Sequence, residues 1–139
     1  MSATVPESVH QLLKAFRLRK SKSLAALILK IDLANLVVEH DQTLEDLASL
    51  QDLADELPET TPRYIMLSYV VNHKDGRVSY PLVFVQYTPA VARPDQKMIY
   101  AGTRTDVGKA VGTMGKCLEL FDADDLTDAW VLAELNIAA

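Results

Sequence analysis

The sequence predicts an α+β protein in which helices pack on both faces of one mixed β-sheet of five or six strands. Residues 64–72 and 80–88 are rich in Tyr, Val, Ile and Phe. They flank Asp75 and Gly76, a strong signal for a two-residue hairpin turn with positive φ at both positions. Pro94 then begins the longest helical pattern, over residues 94–112. The whole chain indicates the order α-β-β-α-β-β-α-β-α, which is typical of this fold class.

The first predicted elements are a helix and two strands. Pro6 suits the first turn of a helix, with Thr4 or Ser8 as candidate caps. The apolar residues that follow recur at the spacing of one helix face: Val9, Leu12, Leu13 and Phe16. The apolar, partly β-branched residues 24–31 predict a buried strand, and a turn leads into a second strand over residues 36–40.

The remaining elements complete the pattern. Residues 43–57 are acidic and contain regularly spaced leucines, which predicts a short helix that the following prolines stop. Pro81 predicts an edge or a bulge in the second hairpin strand. Gly115 would end the region of the long helix, and residues 117–121 predict a short strand. Residues 122–125 would cap a last helix with this buried stripe: Leu126, Ala129, Trp130 and Ala133.

Size and composition predict one domain spanning residues 1–139. A chain of 139 residues, 49% hydrophobic and 24% charged, is typical of a globular protein with one core. The N-terminus lacks the pattern of a signal peptide, and the apolar runs are too short to span a bilayer. The single cysteine, Cys117, cannot form an internal disulfide. These features predict a cytoplasmic protein that does not contact membranes.

Charge is strongly segregated along the chain, although the net charge is only −5. Residues 1–31 contain six basic side chains and one acidic one, whereas residues 32–62 contain nine acidic side chains and no Lys or Arg. Residues 93–117 are basic, and residues 118–139 contain six acidic side chains and no Lys or Arg. A basic face on an acidic molecule can orient it against a charged partner. The overall acidity argues against binding to nucleic acid.

Residues that could carry catalysis or bind metal are sparse. His10, His40 and His73 lie on a predicted helix, a strand and a hairpin tip, without the spacing of a metal site. Cys117 lies in a predicted core strand, where a thiol is a small apolar side chain rather than a nucleophile. No glycine-rich phosphate-binding loop is present. The sequence therefore predicts a protein that is not an enzyme and has no cofactor.

The start of the long helix has the composition of an interface. Met98 and Ile99 are neighbours of Lys97, Tyr100 and Arg104. If Met98 points outward, it is an adaptable apolar contact with charged companions. The alternative is that Met98 belongs partly to the core.

Gly108 and Gly112 lie inside the predicted long helix, where each glycine costs roughly 1 kcal/mol relative to alanine. Either this weakness is tolerated near the end of the helix, or the glycines let a partner's backbone approach closely.

Several stretches together resemble the glia maturation factor branch of the actin-depolymerising-factor homology family. The resemblance covers nearly the whole chain, and the DGRVSYPL stretch and the spacing from Ile31-Asp32 to the DELPE stretch are specific to that branch. The residues that carry it are FRLRK at 16–20, AALILKID at 25–32, DELPE at 55–59, PRY at 62–64, DGRVSYPL at 75–82, MIYAG at 98–102 and DLT at 125–127.

The resemblance implies a monomeric, non-enzymatic regulator of branched actin. Members of this branch bind the actin-related protein 2/3 complex, inhibit its nucleation of filaments, dissociate branches and bind actin itself weakly. The implied location is the cytoplasmic actin cytoskeleton, at cortical patches or the leading edge, with the nucleus as an additional location. The implied docking surface comprises Ser2, Arg19, Lys20, Lys97, Met98, Arg104 and Lys109. The implied second surface, for branch destabilisation, comprises Asp75, Arg77, Glu119 and Asp124.

Two other functions are compatible with parts of the pattern. A cofilin-like severing protein is the first alternative, but the acidic last segment offers no Lys or Arg to contact the side of a filament. A small-molecule-binding module is the second, and it would need a deep apolar pocket. Measuring binding to the branching complex and to actin would distinguish a regulator of branched actin from a cofilin-like severing protein.

Overall fold

The computed structural model describes residues 2–112 and 117–136. Its five-stranded sheet has the order β2-β1-β3-β6-β7, and a separate two-stranded ladder pairs β4 with β5. All pairs are antiparallel except β6 with β7, so the predicted mixed sheet is confirmed. The strands are β1 (Ala25–Asp32), β2 (Val37–Leu44), β3 (Arg63–Ser68), β4 (Val71–Asn72), β5 (Val78–Ser79), β6 (Leu82–Tyr87) and β7 (Cys117–Leu120).

Helices cover both faces of the sheet, as the sequence predicts. They are α1 (Glu7–Arg17), α2 (Leu50–Ala54), α3 (Pro94–Val111) and α4 (Asp128–Glu134). Alternate residues of β1 separate the two cores, because successive strand side chains point to opposite faces. Leu27 and Leu29 pack in the core under α1 and α3, whereas Ala26 and Ile28 pack in the core that includes α2 and α4.

The hairpin differs from the predicted two-residue turn. Within the hairpin, Gly76 is the one residue with a positive φ, at 92°. The Gly76 N–H donates to the His73 carbonyl at 3.1 Å, and the His73 N–H donates to the Arg77 carbonyl at 2.8 Å. This is a three-residue loop with glycine in the left-handed position, a common alternative when only one residue tolerates positive φ. The edge or bulge predicted at Pro81 is wrong: Pro81 lies between β5 and β6 and interrupts the predicted strand over residues 80–88, and β6 is an interior strand of the sheet.

The starts of two helices also differ from prediction. Neither Thr4 nor Ser8 caps α1, whose N-cap is Pro6 without a side-chain bond, because Thr4 instead bridges to β2. Asp122 caps a short 3₁₀ turn, while Thr127 caps α4 by accepting from the Trp130 N–H at 3.1 Å. The last helix therefore starts later and buries a different side, with Val131 fully buried and both Ala129 and Ala133 exposed.

The predicted bounds of the first two strands and of the short acidic helix can also be compared with the structure. The first strand is confirmed, and the second continues to Leu44 rather than ending at residue 40. The short acidic helix is confirmed as α2. The proposed role of Gly115 lies outside the described residues.

Candidate partner-binding surfaces

The outer side of α3 carries a stripe of exposed residues that begins at Met98. Met98 is 64% exposed, so the alternative that it belongs to the core is wrong, whereas its neighbour Ile99 is buried. The other exposed residues of this stripe follow at i+3, i+4, i+7 and i+11 from Met98, the spacing of one helix face: Ala101, Gly102, Thr105 and Lys109. Small side chains along most of the stripe leave room for a partner to approach the helix closely.

The N-terminal tail is fixed beside this stripe. The Ala3 N–H donates to Thr103 Oγ1 at 2.9 Å, and Thr103 Oγ1 donates to the Ile99 carbonyl at 2.8 Å. Thr4 continues the attachment through a parallel bridge to β2. Ser2 is exposed and directly precedes these contacts, so the structure places it next to the middle of α3.

Two of the three cations of α3, Arg104 and Lys97, already have partners within the chain. Arg104 donates to Glu119 at 2.7 Å, which joins a residue of the predicted docking surface to one of the predicted second surface. Lys97 Nζ donates to the Ala90 carbonyl at 2.8 Å and so holds the loop that precedes the helix. Lys109 is exposed near the C-terminal end of α3. A partner that uses Arg104 must compete with Glu119.

Arg19 holds the chain between α1 and β1. Its guanidinium donates to the Ser21 carbonyl at 2.7 Å and to the Ser23 carbonyl and hydroxyl at 3.1 Å each. It lies 5.2 Å from the centre of the Phe16 ring, and its side chain is only 12% exposed. Arg19 is therefore not the exposed cation on which the predicted docking role depends, whereas its neighbour Lys20 is exposed.

Arg19 and Lys20 also lie near the far end of α3 from Met98. The preceding helix ends at Arg17, which donates to the Val111 carbonyl at 3.0 Å and thereby supports the C-terminus of α3. Since α3 has 18 residues, its two ends are about 27 Å apart. The predicted docking residues therefore extend over the length of the helix instead of forming one compact patch.

The hairpin tip is organised by its own ion pair. Arg77 Nε donates to Asp75 Oδ2 at 2.7 Å, and the Arg77 N–H donates to Asp75 Oδ1 at 3.1 Å. These two bonds lower the pKa of the Asp75 carboxyl. The pair is exposed at a projecting tip, where it is accessible to a partner.

The predicted second surface is not one patch. Asp75 and Arg77 lie on the hairpin beyond the Leu82 end of β6, whereas Asp124 follows β7 beyond Leu120, which pairs with the opposite end of β6. The six residues of β6 separate these positions by roughly 17 Å. Glu119 belongs with Arg104 on the flank of α3.

Both helix glycines face other parts of this chain. A Cβ on Gly108 would lie 3.4 Å from the Phe84 ring, which is an ordinary contact, so the packing on β6 does not require glycine there. Gly112 is the C-cap of α3 with φ of 78°, a left-handed conformation that glycine adopts readily. Neither glycine requires a partner to explain it.

Buried tyrosines fix the position of α3 on the sheet. The Tyr64 hydroxyl donates to the Tyr100 carbonyl, and the Tyr100 hydroxyl accepts from the Ile31 N–H at 2.9 Å. Burial raises the pKa of both phenols above the ordinary range, so both hydroxyls keep their protons even in moderately alkaline solution. The helix that carries Met98 is therefore attached rigidly to two strands.

Side chains suited to catalysis or metal binding do not converge. Within residues 2–112 and 117–136, His, Cys, Asp and Glu side chains form no group of three that could hold a metal ion. Burial raises the pKa of the Cys117 thiol to about 11, which disfavours the nucleophilic thiolate. In the same described ranges, no helix is long and apolar enough to cross a membrane.

Sequence reasoning missed the small residues of the α3 stripe. Ala101, Gly102 and Thr105 carry no charge, so a prediction based on charged side chains does not single them out. Their spacing relative to Met98 was a usable signal, because small or polar residues at helical spacing mark the face that does not enter the core.

Comparison with known proteins gives the family. The cofilin/tropomyosin-type actin-binding protein family matches residues 2–136. Glia maturation factor beta from Homo sapiens is 40% identical over 132 residues, which cover 95% of this chain and 92% of that protein. The chain belongs to the glia maturation factor branch of the cofilin family.

Two further members of this branch agree with the assignment. Glia maturation factor from Drosophila melanogaster is 37% identical over 132 residues, with 95% of this chain and 94% of that protein covered. The solution structure of glia maturation factor from Caenorhabditis elegans superposes with a TM-score of 0.80 at 34% identity, covering 96% of this chain and 95% of that one. The family description names binding proteins rather than enzymes.

Proposed function

We propose that this protein is a non-enzymatic regulator of branched actin that binds the actin-related protein 2/3 complex, inhibits its nucleation of filaments and promotes debranching. The observation that carries the proposal is the exposed stripe of α3, led by Met98, in a chain 40% identical to glia maturation factor beta over 95% of its length. Family membership supports an actin-related partner, and the stripe provides a surface that a groove in such a partner could receive.

Docking uses α3 together with the N-terminal tail. Met98 supplies an adaptable apolar contact, and Lys109 adds a charge at the other end of the stripe. Arg104 contributes to docking when a partner's carboxylate replaces Glu119. The binding free energy that Arg104 adds is therefore only the difference between two similar ion pairs. Lys20 remains a proposed peripheral contact, whereas Arg19 acts through the fold.

Debranching requires a second contact. A protein with no reaction to offer shifts an equilibrium only by binding the two states with different affinity. The exposed Asp75–Arg77 pair lies on its own ladder, apart from α3, which supports a proposed contact with a neighbouring subunit or the daughter filament. Strain or competition at that contact would favour the debranched state.

The partners and location follow from the family. We propose that residues 1–139 form one monomeric domain that contacts the complex and, weakly, actin, with no cofactor, nucleic acid or membrane. An actin-related role supports a location in the cytoplasmic actin cytoskeleton. Cortical patches, the leading edge and the nucleus stay predictions.

The direct test measures equilibrium binding of the labelled protein to purified actin-related protein 2/3 complex and, separately, to monomeric and filamentous actin. We expect tighter binding to the complex, and Met98→Glu should weaken it about tenfold or more because a charge replaces an apolar contact. Leu33→Glu is the matched control, since Leu33 is an exposed apolar residue in the β1–β2 turn. Equal loss in both variants, or undetectable binding of the complex by the folded protein, would contradict the proposal.

A cofilin-like severing protein is the second candidate, because the matching family is described as actin-binding. Filament co-sedimentation and imaging of severing distinguish it. Strong filament binding with severing would favour this candidate. The described part of the last segment, residues 118–136, contains six acidic side chains and no Lys or Arg, which disfavours contact with an acidic filament.

A further inference from the structure

A surface groove lies at the end of the sheet opposite the hairpin. It has a volume of about 470 Å³ and is formed by the end of α2 with the residues that follow it, the loop after β6 and the loop after β7. We call it the acidic groove and define it by six of its lining residues: Asp55, Glu59, Val91, Phe121, Asp122 and Asp124.

Four carboxylates surround the acidic groove, and none of its lining residues is Lys or Arg. Asp55 accepts from the Gln51 amide at 2.8 Å and Asp122 accepts from the Asp124 N–H at 2.9 Å. Within residues 2–112 and 117–136, none of the four forms an ion pair. Burial is the main cause of the raised pKa of Tyr87, and the charges of Asp122, Glu59 and Asp124 raise it further. These three carboxylates therefore lie near the same wall of the groove.

The acidic groove also has an exposed apolar component. Phe121 directly follows β7 and is 59% exposed, and Val91 in the loop after β6 is 71% exposed. Both line the same groove as the carboxylates. An aromatic ring surrounded by unpaired negative charge suits an amphipathic ligand better than a purely ionic one.

The carboxylates of the acidic groove come from two distant parts of the sequence. Residues 32–62 contain nine acidic side chains and residues 118–139 contain six, and neither segment contains Lys or Arg. Each of these segments contributes two of the four carboxylates. The opposite charge balance on residues 1–31 makes the molecule electrically polar, with the groove on an acidic part.

We propose that the acidic groove binds a basic peptide segment of a partner protein, in which Lys or Arg residues flank one apolar side chain. The apolar side chain would pack on Phe121 and Val91, and the flanking cations would pair with the carboxylates. Charge complementarity selects this occupant, since nucleic acid and anionic lipid would be repelled. This surface goes beyond the docking and hairpin surfaces proposed above, although Lys97 links it to α3 by holding Ala90 of the same wall.

The test titrates the isotope-labelled full chain with a synthetic peptide, acetyl-Gly-Arg-Lys-Leu-Lys-Arg-Gly-amide, and follows backbone amide shifts by NMR. We expect saturable binding with a Kd below about 1 mM and with shifts confined to residues 54–59, 87–91 and 121–124. Replacing the peptide leucine by serine should weaken binding about fivefold, because the apolar contact is lost. Higher salt should also weaken it, as exposed charges are screened.

Two matched variants separate local charge from net charge. Glu59→Gln with Asp124→Asn should weaken binding about fivefold, because each exposed ion pair contributes modestly. Glu39→Gln with Asp106→Asn removes the same charge elsewhere and should leave binding within about twofold. Phe121→Ser tests the apolar contact, and melting temperatures confirm that each variant is folded.

Three results would overturn the proposal. The first is an absence of saturable shifts with the wild-type chain. The second is equal weakening in both double variants, which would show a diffuse attraction. The third is a set of groove shifts that depends on the concentration of the protein alone, which would make a second copy of the chain the occupant.

Discussion

Replacing Arg19 by Ala is expected to destabilise the protein rather than to act only on docking. The variant loses three hydrogen bonds of 2.7 to 3.1 Å to Ser21 and Ser23, and the packing of the guanidinium on Phe16. Each bond contributes a net stabilisation of about 0.5 to 1 kcal/mol, at the low end of the usual range because the bonds are partly exposed to solvent. With the lost packing, the free energy of unfolding should fall by about 2 kcal/mol. The melting temperature should then fall by about 6 °C.

The assay is thermal and urea unfolding of three variants followed by circular dichroism. Lys20→Ala is the matched control, since Lys20 is exposed and adjacent, and its effect should stay within about 0.5 kcal/mol. Arg19→Lys keeps the charge but loses the planar set of donors, so it should recover less than half of the loss. A melting temperature within about 2 °C of wild type for Arg19→Ala would refute the reasoning and return Arg19 to the docking surface.

Three further predictions concern the proposed surfaces. Ser2→Asp should weaken docking about threefold because it adds negative charge beside α3; affinity equal to that of Ser2→Ala would contradict this. Asp75→Ala with Arg77→Ala should lengthen branch lifetime in single-filament imaging while docking affinity stays within about twofold. A proportional fall in docking affinity and in the rate of debranching would mean that there is one surface. Glu119→Gln should tighten docking about threefold by releasing Arg104, and a double-mutant cycle should show no effect of Glu119→Gln when Arg104 is Ala.

Most of the fold was predictable because local signals agreed with one another. Pro94 begins α3, and the apolar run at residues 24–31 becomes β1. The turn was wrong because Asp75–Gly76 was interpreted as a two-residue turn. An Asp-Gly pair is compatible with a two-residue turn and with a three-residue loop that ends in glycine. Only the backbone dihedral angles show that Gly76 is the one residue of this hairpin with a positive φ.

The candidate site was less predictable because side-chain partners depend on tertiary contacts. Arg104 and Glu119 are 15 residues apart and belong to elements whose relative placement the sequence does not specify. Arg19 is buried by its own following segment, which no hydrophobic periodicity marks. Met98 could be placed on α3 from the sequence. Its exposure depends on which side of the helix faces the sheet, and Ile99 rather than Met98 takes the core position.

A last prediction concerns Cys117, the only cysteine in the chain. Burial raises the pKa of its thiol from 9.0 to about 11, while the nearby Arg104 opposes the shift. At about pH 8 the folded protein should therefore contain roughly a hundredfold less thiolate than the unfolded chain. Its reaction with a disulfide reagent should be slower by at least that factor, because thiolate is the reactive species.

The same shift predicts how stability depends on pH. Between pH 9.0 and about 11 the unfolded thiol loses its proton while the folded one keeps it, so the folded state binds more protons. The free energy of unfolding should accordingly fall as pH rises through this window, and Cys117→Ala should remove that part of the slope. Burial also raises the pKa of four tyrosines, which add to the slope in the same direction, so the difference between wild type and Cys117→Ala isolates the contribution of the thiol. A reaction rate equal in folded and unfolded protein would show an accessible thiolate, and would reopen the nucleophilic role that the buried thiol argues against.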